Sequence, residues 1–227
     1  MLARARDRRV LAQTLERLEA LAEGKTKLAF KAARKHLAAA TGSAPAAVEA
    51  RAIKGALVAL KGARKRFDTL AIHAKGFEAA FDGLRLGYGQ AVKTFETACE
   101  SGSAEDIHEW RKRVQHHFRH LMLLSEASPT VFEARIEKAR ELAAALGEDH
   151  DIAMLLVATG EDGPLKVGTA YRRAIEGFAS ARRAQLWTEA QAAGRALFSD
   201  KPRAFREKVK GHWANAQDSA AKVKPEA

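Results

Sequence analysis

The 227-residue chain holds a single cysteine, Cys99, so no internal disulfide and no cysteine-based zinc cluster can form, and a reducing compartment suits it. No apolar run approaches the length of a membrane span. The opening MLARARDRR lacks the apolar stretch that follows the charges of a secretory signal. These absences predict a soluble cytoplasmic protein with no membrane partner. Prolines number only five, and runs rich in Val, Ile and Thr are scarce, which argues against sheets. What fills the chain instead is Ala, Leu, Arg, Lys and Glu, the residues of long helices. The predicted fold class is all-α.

Charge is lopsided: 39 Lys and Arg stand against 28 Asp and Glu, a net charge of +11. Such a surface attracts polyanions. Punctuation falls near Gly24, at 41–45, at 74–76, at 101–103, at Ser128-Pro129, at 160–164 and at 199–202. Seven or eight helices fit between, and residues 45–73, 77–99 and 104–126 carry apolar residues at three- and four-residue spacing, as bundle helices do. Ser103 suits an N-cap, with Glu105 and Asp106 in the first turn, and the helix it opens should run to Ser125. One helical domain over residues 1–215 is expected. The last stretch, 216–227, has too little apolar content to pack and reads as a flexible tail.

The chemically informative segment is IHEWRKRVQHHFRHLMLL, residues 107–124. Wound at about 100° per residue, Ile107, Trp110, Val114, Phe118 and Leu121 form one stripe, and His108, Arg111, Lys112, Gln115 and Arg119 form a second nearly opposite. Like charges one turn apart repel, so the second stripe belongs either in open water or against an anion. Arginine grips phosphate oxygens with two parallel bonds, lysine adds a compact charge, and histidine supplies a pH-dependent donor. Periodicity alone leaves both readings open.

The run HEWRKRV at 108–114, continued through His117, His120 and Leu123-Leu124, resembles the signature helix of the CHAD (conserved histidine α-helical domain) family, with its His-x-x-Arg-Lys opening. ALGEDHDIAML at 145–155, GFEAAFDGLRLGYGQAVKTFETA at 76–98 and the stretch 192–213 are similar to neighbouring family segments. The resemblance implies two four-helix-bundle halves related by duplication, with a basic channel that binds inorganic polyphosphate and no catalysis or cofactor. It places His108, Arg111 and Lys112 on phosphate oxygens; Gln115 and Arg119 share their stripe. Gln115 stands where the family usually has a basic residue, Met122 where arginine is common, and Gly89-Gln90 where a pair is often Arg-Arg. The first-half copy of the motif is missing, and residues 4–18 resemble the Arg-Asp segment that normally comes after it. The first half is therefore expected to be incomplete, and the apolar surface so exposed suggests a homodimer.

Elsewhere, Arg64, Lys65 and Arg66 suit the C-terminal dipole of their helix, and Arg64 and Lys65 are further candidate polyphosphate contacts. Lys54 and Lys61 share a face with Lys65 that reads as an ordinary wet face. Arg6 and Asp7 suit a salt bridge. The doublets Arg172-Arg173 and Arg182-Arg183 would widen the basic patch. His150 and Asp151 follow an expected helix irregularity at Gly147. A metal site is disfavoured: Glu105-x-x-His108 has no second copy, and His116 with His120 lacks the His-Glu-x-x-His pattern. The alternating Glu-x-Glu-x-Lys strand of triphosphate-tunnel enzymes is also absent. The function expected is non-enzymatic polyphosphate binding at polyphosphate granules. The rivals are a helical adaptor that has lost this binding and a sequence-independent nucleic-acid binder, the stripe having no interleaved aromatics to stack bases.

Overall fold

A computed structural model describes residues 2–39, 46–70, 78–125 and 129–223. Among them are eight α-helices and no strand: α1 (Leu2–Leu21), α2 (Gly24–Ala39), α3 (Ala46–Asp68), α4 (Glu78–Ser101), α5 (Ala104–Ser125), α6 (Pro129–Thr159), α7 (Thr169–Leu197) and α8 (Pro202–Val223). The all-α expectation holds. The breaks expected at 41–45 and 74–76 fall outside the described residues.

Local chemistry explains the ends. Gly102 takes φ +60°, and its N–H donates to Ala98 O at 3.0 Å, closing α4 with the left-handed turn that glycine adopts without strain. Ser103 then caps α5. Its hydroxyl accepts from the Asp106 N–H at 3.1 Å and donates to the Asp106 carboxylate at 2.7 Å. Proline opens both α6 and α8, where a missing N–H is harmless.

One expectation needs correction. Gly147 is helical, and α6 runs through it without a break. The helix is anchored on either side of it, by the buried Leu146 and by Asp149, which is ion-paired to Arg183. α8 extends to Val223, within the stretch read as a tail. Residues 216–223 are rich in Ala and free of Gly and Pro, which suits a helix.

Packing divides the chain into two compact units, neither of them a continuous stretch. The first comprises Met1–Ala71 and Glu148–Ala184, the second Ile72–Gly147 and Gln185–Ala227. In the first, Leu15, Leu18, Phe30, Ala33, Ile152, Leu155 and Ile175 are buried, and the Phe30 ring meets Phe178 edge-on at 5.6 Å. Arg182 and Arg183 are paired here with Glu148 at 3.0 Å and Asp149 at 2.7 Å, and Arg172 lies 3.9 Å from Glu176. Those arginines are spent on carboxylates of their own unit and do not widen a basic patch. Arg6 and Asp7 form the expected ion pair at 2.9 Å, well exposed to solvent.

The second unit is built around Tyr88, Trp110, Val114, Leu121, Leu142, Leu146 and Phe205. Packing is close at Gly194 of α7. A Cβ there would lie 2.7 Å from Phe95 and 2.8 Å from Trp110, so Gly194→Ala is expected to overpack the core and cost about 1–3 kcal/mol. Gly211 of α8 has open space at the same position, and Gly211→Ala should instead gain up to about 1 kcal/mol of helix propensity. Urea unfolding of the two variants tests this packing, and equal midpoints would refute it.

Candidate anion-binding face

The core sets the rotation of α5 in the second unit. Trp110, Val114 and Leu121 are fully buried, and Ile107 and Phe118 are partly buried against the same cluster. The expected apolar stripe is thus the inner face. It extends further toward one side than expected, because His117 and Leu124 are buried as well. His108, Arg111, Lys112 and Gln115 lie at intermediate depth, and Arg119 is exposed. From His108 to Arg119 the row rises about 16 Å along the helix.

The members differ in their partners. Among the described residues, neither Arg111 nor Arg119 has a carboxylate within ion-pairing distance, and the Arg111 Nε is buried without a hydrogen bond. Lys112 is paired with Glu109 on its own helix, and this contact holds the Glu109 carboxyl below the usual range. An exposed pair of this kind is worth little, so an anion would meet a lysine that must exchange partners. Arg113, on another side of α5, donates to Gln90 Oε1 of α4 at 2.9 Å, which turns Gln90 into a packing partner. Met122 is half exposed. Arg64 and Lys65 are exposed on α3, in the first unit. Among the described residues, no three His, Cys, Asp or Glu gather as potential metal ligands.

His117 is the residue whose role the sequence reading missed. It is fully buried, its ring lies 5.3, 5.6 and 5.5 Å from those of Tyr88, Phe198 and Phe205, and neither ring nitrogen has a hydrogen bond among the described residues. The signal was there: residue 117 stands seven after Trp110, three after Val114 and four before Leu121, on the buried stripe itself. Arg135 of α6 completes this cluster. Its guanidinium sits 4.6 Å above the Phe205 ring, donates to Leu197 O at 2.6 Å and lies 3.7 Å from Asp200. Tyr88 adds a hydrogen bond from its hydroxyl to Asp200 O at 3.0 Å.

Burial, then the Arg135 charge, then His120 lower the His117 pKa to about 3. The group is neutral at pH 7, and its folded value lies below the ordinary 6.5. The unfolded chain therefore takes up the proton first. The stability contributed by this neutral histidine is whole above pH 6.5 and is lost as pH falls from 6.5 toward 3, by about 1.4 kcal/mol per pH unit. His117→Leu should remove this part of the acid sensitivity; urea midpoints that fall as steeply with acid in the variant would show that another group governs it.

The model of the CHAD domain matches residues 1–159. It takes in the α5 row and the N-terminal segment, and it stops short of 192–213, where a family likeness was also read. No curated protein and no solved structure matches the chain.

Proposed function

Because the chain belongs to the CHAD family, we propose that it binds inorganic polyphosphate, non-enzymatically, through the outward row of α5. The observation that carries this reading is the arrangement of Arg111 and Arg119. They stand two helical turns apart on one face, without carboxylate partners among the described residues, while Arg182 and Arg183 are neutralised by Glu148 and Asp149 of their own unit. A fold that pairs some cations and leaves Arg111 and Arg119 without a carboxylate favours a polyanion along their face. Guanidinium forks hold phosphate oxygens in pairs, Gln115 adds a donor between them and His108 one beyond Arg111, and Lys112 joins by giving up Glu109. A linear polymer touches several of these groups at once, and each bound phosphate raises the effective concentration of the next. This multivalency also supports residence at polyphosphate granules. Arg64 and Lys65 on α3 are secondary candidates.

Calorimetric titration with long-chain polyphosphate at physiological ionic strength tests the reading, since low salt favours any polyanion. His108→Ala/Arg111→Ala/Lys112→Ala keeps helix propensity, and should lower affinity at least about tenfold, or about 1.4 kcal/mol. Duplex DNA at equal phosphate concentration should bind more weakly. Equal affinity for the two polymers would support the nucleic-acid reading, and binding that ignores the three substitutions would remove the α5 row from the mechanism.

A further inference from the structure

Helix α3 presents an apolar stripe that nothing in the described structure covers. Ile53, Leu57, Leu60 and Phe67 are 50, 53, 65 and 73% exposed, and no described side chain of the helix is buried. Their spacing of four, three and seven places them on one side. Lys54, Lys61 and Lys65 follow one edge of the stripe, and Arg64 lies within it. In all, α3 carries six cations, Arg51, Lys54, Lys61, Arg64, Lys65 and Arg66, against Glu49 and Asp68. None of the six has an ion-pair partner among the described residues.

We propose that α3 is a surface-lying membrane helix that seats its Ile53-Leu57-Leu60-Phe67 stripe in a phospholipid bilayer containing anionic headgroups. An amphipathic helix with leucine and phenylalanine on one side and lysine and arginine beside them is suited to the bilayer interface. The lysine stems run along the apolar zone and lift their amines to the headgroups. No described helix is long and apolar enough to cross a membrane. The expectation of no membrane partner rested on spanning segments, and lying in the interface requires none.

Other occupants fit less well. Polyphosphate and duplex DNA offer no sufficient apolar surface for the stripe. A second α3 would bring six more cations against the first six. A groove on an acidic protein takes an amphipathic helix by its apolar face, but its walls would have to match both Arg64 within the stripe and the lysines along one edge. A flat anionic surface needs only the free side.

Co-sedimentation of the full chain with vesicles of phosphatidylcholine, with and without phosphatidylglycerol, tests this. Wild type should sediment with the anionic vesicles alone. Leu60→Glu/Phe67→Glu and Lys54→Glu/Lys61→Glu should each reduce the bound fraction at least about tenfold. These positions are exposed, so thermal melting of the variants should match wild type. The α5 triple variant should still sediment, which separates this test from the polyphosphate reading. Absence of sedimentation overturns the proposal, as does binding indifferent to Leu60→Glu/Phe67→Glu, which would reflect unspecific attraction. A two-chain mass by light scattering that this variant reduces to one, without vesicle binding, would assign the stripe to self-association and overturn it too.

Discussion

Burial of Trp110, Val114, His117 and Leu121 along one side of α5 is the constraint on which the rest of the second unit depends. A helix has a single rotational setting that hides these four side chains together, and that setting turns Arg111, Gln115 and Arg119 outward. The energetics of the core and the presentation of charge are thus the same choice. Large apolar side chains contribute on the order of 1.5–3 kcal/mol each when buried, far more than an exposed charge costs. Hydrophobic packing orients the cationic row, and repulsion along it is tolerated.

The cluster around His117 shows how a polar side chain serves such a core. Three aromatic rings surround the imidazole, and the nearby Arg135 guanidinium is held by Leu197 O, Asp200 and the Phe205 ring. Cation and neutral imidazole coexist because burial disfavours a second positive charge beside the first. Asp200 also accepts from Lys208 at 2.6 Å and, through its backbone oxygen, from Tyr88, so the turn from α7 to α8 is tied to α4 and α6.

Charge in this protein has two fates. In the first unit Glu148 and Asp149 draw in Arg182 and Arg183, and Arg34 lies 3.1 Å from Glu19. On α5 and α3 the cations outnumber the acids within reach. Net charge alone does not separate the two groups, since it counts every cation alike whether or not an acid lies beside it. An arginine twenty or thirty positions away in the chain from an acid is paired or unpaired according to how the helices return, which composition does not record.

The local features were legible from residue order. Three- and four-residue spacing specified helices, the break at 101–103 and the cap at Ser103 followed from the residues there, and the phase of α5 followed from the places of Trp110, Val114 and Leu121. Each depends on neighbours within about two turns. The expected irregularity at Gly147 failed because anchors on both sides, one of them Arg183, outweigh one glycine's weak propensity. The neutrality of His117, the pairing of Lys112 with Glu109 and the exposure of the α3 stripe were likewise beyond the pattern. An amphipathic period says that a helix has an apolar side, and only the tertiary structure decides whether another helix arrives to cover it.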